Sequence, residues 1–451
     1  MAVNASSTGA NERAETPQSA IRNPQSASPE RDYHVAFFTN TYRPFVGGVA
    51  LSVELFQRYL TALGDHVTVY APHFDGEAAA EDEPNVQRLP AIKHFNDTDF
   101  SLPLPVSFQM LQDFHDIPFD VVHVHHPFLL GEMGMHLARQ RRLPLAFTYH
   151  TQYESYTHYV PMNREQAERT ILRHTHEFCD LCDLVIAPTY DIKRALVERG
   201  VKTWIEVLPT GVELGRFEEI DAAGARRRLG IEPGDPVLLH VGRLAAEKNL
   251  EYLLRAATIV LRDNPTAHLV IAGEGKLQDQ LHKMAAEAPG AGIPDRIHFA
   301  GLLTGKPLDE IYAAADLFVF SSQTETQGMV VAEALAAGTP VVALDANGVR
   351  DLVRDDENGR LLAADADEAA FARAVSESLA DRPRLDEWRH EALRTARMLG
   401  MDIQARRLHE IYGQLKMIPN HRLKQETVSF GLIRNYFETV WEDLGKWFER
   451  I

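Results

Sequence analysis

The sequence predicts an α/β chain of two doubly wound parallel-sheet units facing one another across a cleft, and three observations predict it. Short apolar strand segments alternate with helical periodicity from His34 onward. The alternation pauses at the turn-rich PTGVELGRF and then restarts. The 451 residues, 45% hydrophobic and 24% charged, suffice for two or three domains with their own cores.

Residues 1–31 are rich in Ser, Asn, Ala, Gln and Pro, carry two PQSA copies and lack large apolar side chains, so a disordered tail is expected there. The first unit, 32–212, opens with the strand HVAFFTN, a Gly47-Gly48 loop, a helix over about 49–63 and the strand HVTVYAP. It continues through VVHVHHP, PLAFTYH, LVIAPT and IEVLPTGV, runs apolar enough to be covered on both faces. The second unit, 213–415, repeats the pattern with VLLHVGR, HLVIAGEG, IHFAG, LFVFSS and PVVALDA. The remainder, 416–451, reads as an amphipathic helix whose apolar face runs from Ile433 through Trp441 to Ile451.

With 64 acidic against 46 basic side chains the formal net charge is −18, which argues against a nucleic-acid partner and requires local cations for any anionic ligand. Two cysteines, Cys179 and Cys182, point to a reducing cytosol. No apolar run reaches the roughly 18–20 residues that span a bilayer, and the N-terminus lacks the apolar block of a signal peptide. Arg139, Arg141, Arg142, Arg164, Arg169 and Arg173 are the cations best placed for peripheral contact with a membrane's inner face.

Open α/β sheets bind ligands beyond the carboxyl ends of their strands. At the first such end, Gly47 and Gly48 let backbone amides approach a ligand at a helix start. In VGRLAAEKNL, Arg243 closes a strand and Lys248 opens the next helix, so two cations can converge on one anion, a diphosphate being the natural fit. In SSQTETQGMVVAEALAAGTPVVA, Glu325 sits in a polar loop and Glu333 in the following helix. Both carboxylates point to the same cleft and suit sugar or ribose hydroxyls, while the backbone of Thr326, Gln327, Gly328, Met329 and Val330 supplies donors.

The order of Gly47-Gly48, GRLAAEKNL, the GEG turn at Gly273–Gly275, and Glu325 and Glu333 separated by seven residues resembles the retaining GT-B glycosyltransferases that use nucleotide sugars. The resemblance covers roughly 33–415, and implies Rossmann-like domains with C-terminal helices crossing back to brace the first. It implies that Arg243 and Lys248 bind the donor diphosphate and stabilise its departure, that Glu325 holds sugar hydroxyls, and that Glu333 holds the ribose. It further implies that the Gly47-Gly48 loop lies over the phosphate, that His150 lines the sugar and acceptor side, and that Gly301 and Leu302 begin the loop around the base. The sugar nucleotide is a co-substrate, and no metal or other cofactor is implied.

The strings TYHTQYESYTHYVP and TETQGMVV resemble the diacylglycerol glucosyltransferase group, which implies glucose from UDP-glucose and a lipid or other hydroxyl acceptor. A GDP-mannose mannosyltransferase would use the same constellation. A sugar-nucleotide epimerase and a non-catalytic nucleotide-sugar binder are the readings from other classes. His123, His125 and His126 read as satisfied strand-end histidines, Cys179-x-x-Cys182 as two half-buried thiols, and Asp365-Ala-Asp367 as a helix cap. Gln278 stands where a dinucleotide fingerprint needs its third glycine, which disfavours a dehydrogenase.

Overall fold

Short segments dominated by apolar side chains form most strands of the two large sheets, whose faces are covered by helices. The computed structural model describes residues 32–74, 85–92, 102–103, 107–153 and 164–418. The expected tail at 1–31 and the apolar face from Ile433 to Ile451 lie outside them.

The first sheet contains β1 (His34–Phe38), β2 (His66–Pro72), β3 (Val86–Leu89), β6 (Val121–Val124), β7 (Leu145–Thr148), β8 (Leu184–Ala187) and β9 (Trp204–Val207). Their order is β3-β2-β1-β6-β7-β8-β9, with every pairing parallel. A small antiparallel pair, β4 (Ala91–Ile92) and β5 (Leu102–Pro103), stands apart. The helices of this half are α1 (Gly48–Ala62), α2 (Phe108–Asp116), α3 (Leu130–Arg141), α4 (Arg164–Leu181) and α5 (Tyr190–Glu198).

The second sheet, also wholly parallel, has the order β12-β11-β10-β13-β14-β15. Its strands are β10 (Val237–Val241), β11 (His268–Ala272), β12 (Ile297–Gly301), β13 (Leu317–Phe320), β14 (Val341–Leu344) and β15 (Gly359–Leu362). Helices α6 (Ala222–Arg228), α7 (Leu250–Asp263), α8 (Gln278–Ala286), α9 (Lys306–Ala314), α10 (Met329–Ala336), α11 (Glu368–Ala380) and α12 (Arg382–Met398) belong to this half. Asp367 caps α11 by accepting from the Ala370 amide at 2.7 Å, the role expected of the Asp-x-Asp string. Both Rossmann-like sheets of the predicted fold class are therefore present.

The crossing back comes earlier in the chain than the sequence suggests. Helix α13 (Met401–Met417), placed by sequence with the second unit, packs Met401, Ala405, Leu408, Ile411, Tyr412 and Leu415 into the core of the first sheet. The two crossings run side by side: Val212 donates to the Leu399 carbonyl and accepts from the Met401 amide, both at 2.9 Å. Helical periodicity fixes which face of α13 is apolar but not which sheet receives it. Among the described residues, no helix is long and apolar enough to cross a membrane.

Candidate active site

The strand-end loops of the second sheet hold most of the predicted residues. Beyond β10 the chain runs through a single 3-10 turn, Ala246–Lys248, and Asn249 in the left-handed region (φ 55°) opens α7. The turn is fastened to the end of β13. The Ser321 hydroxyl lies 3.0 Å from both the Lys248 and Asn249 carbonyls, and Ser322 donates to the Glu247 carbonyl at 3.3 Å. With its backbone fixed this way, the Lys248 ammonium donates to Glu325 Oε1 at 2.5 Å, and the two side chains are only 18% and 13% exposed. Each charge offsets the other's desolvation in this mostly buried setting. Arg243 stays on the same loop but turns to Glu247 at 2.7 Å, with its side chain half exposed.

The GEG turn stacks on this loop. Leu244 donates to the Glu274 carbonyl at 2.9 Å, and Gly273 donates to the Gly301 carbonyl at 2.8 Å. Gly273 has φ +144°, and a Cβ there would lie 1.9 Å from the Gly242 carbonyl oxygen. Leu302 follows Gly301 at the exposed rim. Gly273→Ala is expected to push the turn off the Arg243 loop and cost about 1–3 kcal/mol. Thermal unfolding checks the stability loss.

Glu325 is also held from the other half. Gln152 donates to the Glu325 carbonyl at 2.8 Å, and the Thr189 hydroxyl donates to the Thr326 carbonyl at 3.2 Å. Gln327 is turned away from the cleft: its amide pairs with both backbone groups of Thr210, at 2.8 and 2.6 Å. Gly328, left-handed at φ 73°, precedes α10, whose first-turn amides, Met329 and Val330 among them, are of the kind a helix leaves without internal partners. Opposite them, Gly47 precedes α1, and a Cβ on Gly48 would sit 3.8 Å from Met329 Sδ. Two helix starts thus face one another across the halves of the chain.

Glu333 faces a different set of partners from Glu325. It is buried on α10, Oε1 accepting from Arg216 at 3.0 Å and Oε2 from the Tyr312 hydroxyl at 3.0 Å. Arg216 also binds Asp309. Burial and the Glu333 charge push the Tyr312 phenol well up, so it remains a donor.

On the first sheet, His150 lies two residues beyond β7, partly exposed, with Nε2 2.9 Å from His125 Nδ1. His123 satisfies both ring nitrogens, against the Tyr412 and Thr148 hydroxyls at 2.7 Å each. Burial holds His123 and His126 down to about 3, and His125 and His150 well below the usual histidine range, so all four are neutral. His125 corrects one expectation: its Nε2 is buried and has no partner among the described residues.

Comparison with known proteins bears on this arrangement. Residues 222–395 match the model of the glycosyl transferases group 1, and residues 46–216 match that of glycosyltransferase family 4. An alpha-monoglucosyldiacylglycerol synthase of Streptococcus pneumoniae is 30% identical over 90% of this chain and 91% of that protein. The chain belongs to the retaining GT-B glycosyltransferases of family 4. A GDP-mannose-dependent alpha-mannosyltransferase of Mycobacterium tuberculosis is 33% identical over 78% of this chain and 89% of that protein. The fold is shared with HepE of Anabaena, solved in complex with UDP-glucose: TM-score 0.68, 19% identity, covering 85% of this chain and all of that one.

In this family-4 chain, sequence reasoning missed Gln152, Arg216 and the Ser321-Ser322 pair. Arg216 sits in the GRF string after the first crossing, where a cation directly after a turn reads as solvated surface. Gln152 comes two residues after His150, and only the tertiary fold brings it to Glu325.

Proposed function

We propose that the chain transfers glucose from UDP-glucose to a lipid hydroxyl, diacylglycerol being the acceptor class, with retention at the anomeric carbon. The observation that carries the reading is the Lys248–Glu325 pair, set at the carboxyl end of the second sheet beside the start of α10. A diphosphate arriving there meets an ammonium and the positive end of a helix, and both gain strength as its charge grows on departure. Arg243, half exposed, swings from Glu247 to the same phosphates. Glu325, released from Lys248, accepts from sugar hydroxyls.

Glu333 keeps its Arg216 and Tyr312 bonds, and its remaining acceptor capacity takes the ribose. Gly301 and Leu302 flank the base, and the Gly47-Gly48 loop and the Met329 and Val330 amides close over the phosphates. His150 lines the sugar from the first sheet. The chemistry assigned to these groups uses no metal. The lipid acceptor is supported by the likeness to the S. pneumoniae synthase. Arg141 and Arg142 at the end of α3, and Arg169 and Arg173 on α4, all exposed, are the proposed peripheral contact at the inner membrane face.

The second reading, mannose from GDP-mannose, rests on the M. tuberculosis relative. Incubating the full chain with radiolabelled UDP-glucose or GDP-mannose, with and without diacylglycerol micelles, separates the readings. Labelled lipid is expected from UDP-glucose alone, and only with micelles present. Label from GDP-mannose alone selects the second reading. Donor turnover without acceptor selects an epimerase, and saturable binding without turnover a binder.

A further inference from the structure

His125 lies on the loop leaving β6, 1% exposed, in a stack of three imidazoles: its ring centroid is 4.4 Å from that of His123 and 5.2 Å from that of His150. Phe37 meets both His123 and His125 in T-shaped contacts, with centroids 5.2 and 4.8 Å apart. His126, the remaining titratable neighbour, is engaged elsewhere, its Nδ1 accepting from the Asn40 amide at 3.1 Å. One hydrogen bond joins His125 to His150, and each neutral ring has one proton to place.

Only two arrangements satisfy that bond. If His150 Nε2–H donated, the His125 proton would sit on Nε2, leaving a buried N–H with nothing to donate to. If His125 Nδ1–H donates, its Nε2 is instead a bare acceptor. A buried donor without a partner is the rarer and costlier defect, since unsatisfied acceptors are better tolerated.

We infer that His125 is a positioning residue: by donating from Nδ1 to His150 Nε2 it fixes His150 as the Nδ1–H tautomer, so that His150 offers a hydrogen-bond donor to the transferred sugar. In water, imidazole side chains favour the opposite tautomer, with the proton on Nε2, so the neighbour overrides an intrinsic preference. His150 makes no other hydrogen bond among the described residues. A donor at this position holds a sugar hydroxyl through its oxygen and leaves that hydroxyl's own proton free to donate to a carboxylate. The sugar part of this inference rests on the placement of His150 given under Proposed function, whereas the tautomer does not.

The experiment uses the full chain with ¹⁵N-labelled histidine, recording two-bond ¹H–¹⁵N spectra without substrate and assigning His150 by the signals lost in His150→Gln. The wild type is expected to show His150 protonated on Nδ1. His125→Leu should shift that proton toward Nε2 and lower glucosyl transfer roughly three- to tenfold, the worth of one neutral hydrogen bond. His125→Asn places an amide donor near the same point and should restore the tautomer and most of the transfer. Generic damage to the fold would not be repaired in this way.

A wild-type His150 protonated on Nε2 overturns the inference, and this is read from the wild type even if His125→Leu does not fold. An Nδ1–H wild type whose transfer is indifferent to His125→Leu overturns the contact with sugar while the tautomer stands. That outcome places the failure in the site reading and not in the histidine pair.

Discussion

Lys248→Ala is expected to lower hexosyl transfer by about 10²–10³-fold, the usual loss when one preorganised charge-stabilising donor is removed. The ammonium is held on a turn that Ser321 and Ser322 fasten to β13, so it needs little reorganisation to meet a departing diphosphate. Because that charge grows toward the transition state, the loss should appear mainly in kcat, with a smaller rise in donor KM. Glu325 is left without its 2.5 Å partner in this variant, so a second one, Lys248→Ala with Glu325→Gln, separates catalysis from an uncompensated carboxylate. The double variant should regain stability without regaining transfer. Initial rates with a labelled sugar nucleotide, read beside thermal unfolding, decide the matter. Transfer within a factor of three of wild type would mean that Lys248 does not touch the phosphates.

The expected loss concerns residues whose strand-end placement is legible in the sequence because of how parallel sheets are built. Strands covered on both faces read as apolar runs, and each run gives way to a loop, so the sequence alone places Arg243, Lys248 and Glu325 at strand ends. The edge strands β3 and β15 carry no such mark. VQRL and GRLL are short, mixed in polarity and only partly buried, so neither the apolar-run pattern nor strict alternation reveals them.

Side-chain partnerships are less legible than positions. Glu325 and Glu333 look alike in sequence, two carboxylates with seven residues between them, yet one meets a lysine at a loop and the other an arginine under a helix. Gln327 reads as a ligand-loop residue, but its amide copies a strand pairing with Thr210 and ties the crossing to α10. His125 shares a face with His123 by strand alternation, but the partner that fixes its proton, His150, comes from beyond the end of the neighbouring strand. In each case the deciding partner is far away in sequence, where neither spacing nor periodicity carries information.

Arg216 is the largest instance, and its replacement should have the largest effect on stability. The guanidinium sends Nε to Asp309 at 3.1 Å and one terminal nitrogen to Glu333 at 3.0 Å, so one cation serves two carboxylates that are 4% and 6% exposed. Arg216→Leu leaves both acids buried and uncompensated, at an expected cost of about 3–5 kcal/mol. Unfolding midpoints should fall by roughly 6–20 °C, taking 2–4 °C per kcal/mol for domains of this size. Adding Asp309→Asn and Glu333→Gln removes the stranded charges and should recover most of the loss at neutral pH. If Arg216→Leu unfolded within about 1 kcal/mol of wild type at neutral pH, the two acids would have to be reaching water or other cations, and α10 would not depend on this cluster for its place at the cleft.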